Sequence, residues 1–110
     1  MILLWDEWNT HHIARHLVEQ DEAAEVVQRA SRPFPTRIGR DKFLIRGQTA
    51  RGRYLQVVYV LRTPDTIRFD AMSLEERLAV EAGELIGYVI HSRDLEDGER
   101  RTLRRRSRQP

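Results

Sequence analysis

The sequence predicts an α+β domain: an antiparallel meander of about four to five strands, two helices before it and one after it. Three stretches carry that reading. Tyr54–Val60 has apolar side chains on both alternation sets, with Gln56 the one polar interruption, so it belongs in the middle of a sheet with neighbours over both faces. The run Gly47–Gly52 supplies the glycines a hairpin needs, pairing Lys42–Gly47 with Arg53–Arg62. Helical start signals stand on either side, Asp6 before the first apolar-periodic run and Ser73 with Glu76 as a capping box before the last.

Taken in order, Ile2–Trp5 is a short apolar edge strand, and Asp6 caps a helix over roughly Glu7–Leu17. Trp8, His12 and His16 recur there at helical spacing beside Ile13 and Leu17, which predicts one half-buried face holding two imidazoles. Asp21–Ala30 repeats the helical signal until Pro33 and Pro35 end it. Thr36–Arg40 and Lys42–Gly47 read as short strands, Thr63–Thr66 as a turn, and Thr66–Met72 alternates like another strand. A third helix follows from Leu74, with Leu78, Ala82, Leu85 and Val89 at helical spacing and bends at Gly83 and Gly87. Residues 1–92 then form a single domain. Residues 93–110, acidic and then arginine-rich, are expected to lack fixed structure.

The 110 residues suffice for one modest core. The absence of cysteine excludes disulfides, thiolate metal sites and cysteine nucleophiles. The opening apolar run is cut by Asp6 and Glu7, too short for a signal peptide or membrane span, so a cytoplasmic protein with no membrane partner is expected. A net charge of +2 conceals segregation. Residues 29–53 hold eight cations and only Asp41 as an acid, and six arginines follow from Arg100, whereas the intervening segments are acidic. Basic blocks set between acidic ones suit an anionic ligand.

Cleavage of RNA without a metal needs a base for the ribose 2′-proton, an acid for the leaving oxygen, and fixed positive charge on the phosphate. His12 and His16 are the candidate proton carriers and Arg53, at the start of the central strand, the candidate phosphate clamp. Arg46, Arg51 and Arg68 are candidate RNA-binding residues around it, on a sheet face that would carry Arg46, Gln56, Arg68 and Asp70 uncovered by helices. Against this, helix-face histidines more often satisfy backbone groups or pair with acids such as Asp6, and Arg53 is as well suited to an ion pair. The same histidines could chelate a metal with Asp6 or Glu7, but no third histidine lies at ligand spacing; no metal or cofactor is expected. Trp5 and Trp8 could stack on bases, with packing on the sheet the stronger expectation.

Three stretches together resemble the BrnT-type toxins of type II toxin–antitoxin systems, small ribonucleases with a RelE-like fold. They are WDEWNTHHIARH at residues 5–16, with Trp5, Asp6, Asn9, His12 and His16 matching the family pattern; DEAAEVV at 21–27; and GQTARGRYLQVVYV at 47–60, with Gly47, Thr49, Gly52 and Arg53 matching. The resemblance implies a RelE-like fold, ribonuclease activity that inhibits translation, a cognate antitoxin as protein partner, and operator DNA bound through that antitoxin. It adds Thr49 to the RNA-binding candidates and Glu76 to the catalytic ones. Members usually end the last strand in a small residue followed by arginine, then have a helix with glutamate and tyrosine. In IRFDAMSLEER, residues 67–77, Asp70 or Ala71 stands where that arginine is expected, Glu76 and Arg77 fit, and no tyrosine occurs before Tyr88. An acid there would repel RNA, and the alternative reading is therefore a catalytically degenerate toxin-like domain that binds protein or nucleic acid, in the latter case through the arginine-rich tail.

Overall fold

The nine-residue strand at Tyr54–Arg62 is the spine of the molecule. The computed structural model describes residues 1–68 and 72–107. Its elements are β1 (Ile2–Leu4), α1 (Glu7–Ala14), α2 (Gln20–Gln28), β2 (Thr36–Gly39), β3 (Lys42–Gln48), β4 (Tyr54–Arg62), a short 3-10 turn (Pro64–Thr66), α3 (Leu74–Glu81), β5 (Ile86–Asp94) and α4 (Asp97–Ser107). One five-stranded sheet runs in the order β1-β5-β4-β3-β2. β2 to β5 are antiparallel neighbours, and β1 joins the outer edge of β5 in parallel. The α+β class is as the composition of segments predicts, with a mixed sheet and four helices in place of a pure meander and three.

Both alternation sets of β4 meet protein. Leu55, Val57 and Tyr59 point to a first face, where they pack with Ile13 of α1, Ala23 and Val26 of α2, Ile45 of β3 and Val89 of β5. Loss of water from these side chains is the main stabilising term, about 1.5–3 kcal/mol for each fully buried aliphatic group. The second face carries Tyr54, Gln56, Val58 and Val60, opposite Gln48, Arg46, Leu44 and Lys42 of β3. At its upper end Ile86 packs with Met72 and Val80, flanked by Ile2, Leu4 and Ile67.

Two glycines act as stops. Gly52, at φ +95°, turns the β3–β4 hairpin, where the Gly52 amide donates to the Thr49 carbonyl over 2.9 Å. Gly83, at φ +98°, follows the C-terminus of α3, its amide donating to the Val80 carbonyl over 3.0 Å.

This second stop corrects the expected long third helix. α3 ends at Glu81, and Leu85 and Val89, which fit its spacing, belong to a new connection and a new strand. Likewise Thr66–Met72 supplies no strand among its described residues: the chain there is the end of the 3-10 turn and coil, and Asp70 lies outside them. α1 stops at Ala14 because Leu17, at φ +59° and 82% exposed, reverses the chain, so Leu17 leaves the expected apolar face and Asn9 and Ile13 are the buried residues.

The expected structureless tail is corrected as well. Residues 86–94 form β5, and 97–107 form α4. α4 is held from the sheet side: Glu99 accepts from Arg46 and Arg93, and the Arg104 guanidinium stacks 5.5 Å from the Tyr54 ring centroid, while within the helix Arg100 pairs with Asp97. Arginine-rich composition hides such a helix, because its stability comes from ion pairs with distant residues and not from an apolar stripe. α4 therefore covers the lower part of the second face, which the sequence leaves open at Arg46 and Gln56.

β5 contains one further irregularity. Its pairing steps from Tyr59↔Val89 to Val58↔His91, leaving Ile90 as an unpaired extra residue. Such a bulge inverts the alternation of everything after it. Val89, Ser92 and Asp94 share the first face, whereas Tyr88, His91 and Arg93 share the second.

Candidate functional site

The seam between α1 and β5 gathers the chemistry. β1 is only three residues long, so beyond Tyr88 the edge of β5 is bordered by α1 instead of by a strand. Asp6 starts α1 with a reciprocal cap: its Oδ1 accepts from the Asn9 amide at 3.0 Å, and the Asn9 Oδ1 accepts from the Asp6 amide at 2.8 Å. With Asn9 and Ile13 turned inward, Trp8 and His12 lie side by side on the outer flank, ring centroids 4.7 Å apart and planes within 9°.

Further along, the His16 and His91 rings meet edge to face at 5.6 Å. His91 is half-buried, and burial together with the nearby positive charge of His16, Arg93 and His12 pushes its pKa below the ordinary histidine value. A neutral imidazole beside a second imidazole is the usual arrangement for a base and an acid that exchange roles. Toward the upper end, the Tyr88 and Trp8 ring centroids lie 6.3 Å apart, and the Arg62 guanidinium sits over the Tyr88 ring, 4.6 Å from its centroid. The Tyr88 hydroxyl donates to the Asp6 carboxylate, 2.8 Å and 2.9 Å from its two oxygens. Burial, then that carboxylate, drives the Tyr88 pKa up to about 12, so the phenol stays protonated.

Toward the lower end, Arg93 and Arg46 converge on Glu99. Arg93 binds both carboxylate oxygens, at 2.8 and 3.0 Å, and Arg46 binds one of them at 2.8 Å. Gln56 Oε1 accepts from both guanidiniums. The Arg93 hydrogen bonds, reinforced by the Glu96 amide, take the Glu99 pKa down to about 2.

Arg53 has a different environment. Its Nε donates to Asp94, one terminal nitrogen to Glu22 and the Leu17 carbonyl, and the other to Asp94 and the His16 carbonyl. A guanidinium has five N–H bonds, and these five acceptors occupy all of them. The hydrogen bond to Asp94 is the main reason its pKa is raised. Arg53 thus ties the hairpin to the end of α1, to α2 and to β5, and places His16 by its main chain.

The remaining sequence candidates are dispersed. Thr49 is buried in the hairpin turn, where its hydroxyl accepts from the Arg53 amide at 3.1 Å. Arg51 is exposed beside Glu25 and Arg53, across α2 from the histidines. Glu76 closes the α3 cap by accepting from the Ser73 amide at 3.0 Å. Arg68 lines a hollow with Arg62 and Tyr88. The structure therefore sets His12 against Trp8 and His16 against His91, ties Arg53 to the His16 main chain with all its donors engaged, leaves Arg46 beneath α4, and puts Thr49, Arg51 and Glu76 away from the imidazoles in the hairpin turn, beside Glu25 and in the α3 cap. Trp8, expected to pack on the sheet, is 56% exposed.

The residues missed from sequence are His91, Tyr88, Arg62, Arg93 and Glu99. The available signal was the β-rich run Ile86–Ile90 after Gly83, masked by the helical spacing of Leu85 and Val89. Among the described residues no group of three histidine, aspartate or glutamate side chains is arranged to hold a metal ion, and no helix is long and apolar enough to cross a membrane. No family model matches this chain, and no match is found among curated proteins or solved structures.

Proposed function

We propose that this protein is a metal-independent ribonuclease and the toxin component of a type II toxin–antitoxin pair, with a RelE-like fold, a cytoplasmic site of action and a cognate antitoxin as partner. The observation that carries the reading is the His16–His91 pair on the open seam of the sheet, with His91 held neutral. In the reaction, neutral His91 removes the proton from a ribose 2′-hydroxyl, and that oxygen attacks the adjacent phosphorus. The bond from phosphorus to the 5′-oxygen breaks, and protonated His16 gives that oxygen its proton. The products are a 2′,3′-cyclic phosphate and a free 5′-hydroxyl.

The chain order around β5 also supports the toxin resemblance. Just before its last residue, Asp94, β5 holds Ser92 and Arg93, and it leads into α4 with Glu99, a small residue, arginine and glutamate in the order the resemblance expects at the last strand; α4 lacks the tyrosine. The arginine thought to be replaced by Asp70 or Ala71 has its counterpart in Arg93.

The test is incubation of the purified chain with end-labelled single-stranded RNA. The expected result is cleavage leaving cyclic phosphate ends, lost in both His16→Gln and His91→Gln. Intact RNA with the wild-type chain, or cleavage that survives both substitutions, overturns the catalytic assignment. Intact RNA together with a tight complex with the neighbouring gene's product supports the binding-module alternative.

A further inference from the structure

The apolar residues that helical spacing assigns to the core at Leu74, Leu78, Ala82 and Leu85 face solvent. Leu74 is 72% exposed, Leu78 57% and Leu85 60%, and Ala82 is exposed as well. α3 docks through its other side: Val80 is its buried residue, packed in the cluster of Met72 and Ile86, and the helix lies against β1. Leu74 and Leu78, one turn apart, share a face on the far side of the helix from Val80. Leu85 follows the Gly83 stop, at the corner leading into β5. A surface helix normally turns its apolar stripe inward and its polar side to water. A single exposed leucine needs no explanation, whereas a row of them on one short corner is the mark of an interaction surface.

The borders of this face are acidic. Residues 73–85 hold Glu75, Glu76, Glu81 and Glu84 against Arg77 alone. Glu76 is engaged in the Ser73 cap and Glu84 pairs with the N-terminal ammonium at 2.8 Å. Glu75 and Glu81 are exposed on opposite borders of the leucine face, and among the described residues neither has an ion-pair partner. These carboxylates select the occupant. The α3 of a second copy would set them against their own counterparts, and an anionic lipid surface would be repelled. The chain's own cationic helix, α4, has the charge but only Leu103 as an apolar side chain to offer.

We propose that the α3 corner is a docking face for an amphipathic helix of a different protein, one whose apolar stripe is bordered by lysine or arginine. Its stripe covers Leu74, Leu78 and Leu85, and its border cations meet Glu75 and Glu81 at the rim. The leucines hold the partner and the rim charges choose it. The inference stands on this corner alone and needs no RNA chemistry, because its residues lie outside the histidine seam.

The probe is a fluorescein-labelled synthetic peptide of about 18 residues, with leucine at i, i+4, i+7 and i+11 and lysine on both borders of that stripe. A twin peptide carries glutamate in place of each lysine. Each is titrated into the full chain and read by anisotropy. The expected result is micromolar binding of the lysine peptide, with its glutamate twin weaker by on the order of tenfold. Leu74→Gln combined with Leu78→Gln is expected to weaken the lysine peptide by about tenfold or more, and Glu75→Lys combined with Glu81→Lys to make the glutamate peptide the tighter of the two. All four side chains are exposed and their replacements suit a helix, so the fold is kept, which thermal melting checks. Equal binding by the leucine variant, no binding of either peptide, or a preference that survives the charge reversal overturns the proposal. So does a dimer in sedimentation velocity, or flotation with phosphatidylcholine vesicles, that the leucine substitutions abolish, since a second copy or a lipid surface then occupies the face.

Discussion

Two charged clusters border the α1–β5 seam, and they are built on opposite rules. Around Arg53 every donor has an acceptor and two carboxylates balance one guanidinium. Around His91 the neighbours are His16, His12 and Arg93, all of the sign that opposes its protonation. The first arrangement is what a structural joint requires, since a partly buried cation is stable only when paired. The second disfavours the charged form of His91 and so weakens the fold in acid, which a structural joint would not do. A residue's type thus says less about its role than whether its surroundings cancel its charge or accumulate it.

The largest effect expected from this contrast is on cleavage. His91→Gln is expected to lower the RNA cleavage rate by about 10²–10⁴-fold, the usual contribution of a general acid or base, with an unchanged melting temperature at pH 8. Gel-resolved cleavage rates beside a melting curve measure both.

Arg53 should behave the other way. Arg53→Lys keeps the charge and loses the planar fork, and an expected loss of about 1–3 kcal/mol in urea unfolding would show that geometry, not charge, is what the joint needs. The partial exposure of the side chain keeps the figure below that of a fully buried pair. A variant as stable as the wild type but unable to bind RNA would return Arg53 to the phosphate-binding role its sequence position suggests.

The pH dependence of stability sharpens the comparison further. Glu99 falls from an ordinary 4.5 to about 2 in the folded chain, so its contribution is complete above pH 4.5 and is lost as pH falls toward 2. His91, also lowered, contributes fully above its ordinary value of 6.5, and that contribution is lost as pH falls through its folded pKa. Stability measured by urea unfolding should therefore decline in two acid steps. Glu99→Gln is expected to shrink the lower step, to which the lowered carboxylates of Asp94 and Glu25 also contribute, and His91→Gln to remove the upper one.

The smallest effect lies away from both clusters. Ser73→Ala, which deletes the hydroxyl accepting from the Glu76 amide, is expected to cost about 1 kcal/mol and to leave RNA cleavage unchanged. A loss of activity there would give Glu76 a role beyond its cap.

What could be read from the sequence was local. The hairpin at Gly47–Gly52, the double-sided β4, the Asp6 and Ser73 caps and both histidines on α1 follow from a few neighbouring residues each. β5 could not be read that way, because Leu85 and Val89 satisfy helical spacing while Gly83, only nine residues beyond Leu74, ends the helix through a positive φ that spacing does not register. α4 was hidden because its anchor, Glu99, acts on Arg46, distant in the chain. Consequently the site was legible only in its α1 half. The same error moved the expected open arginine surface to a region that α4 covers.

Ile90 gives that lesson its sharpest form. Were the bulge ironed out, with Ile90 paired to Val58, the ladder beyond Val89 would shift by one place, setting the imidazole of His91 opposite Val57 and the guanidinium of Arg93 opposite Leu55 in the oily layer under α1 and α2, and lifting Ser92 into their place. The two registers share every side chain, and only one of them sets His91 beside His16. For this molecule, chemistry is decided by counting along a strand before it is decided by which side chains the strand contains.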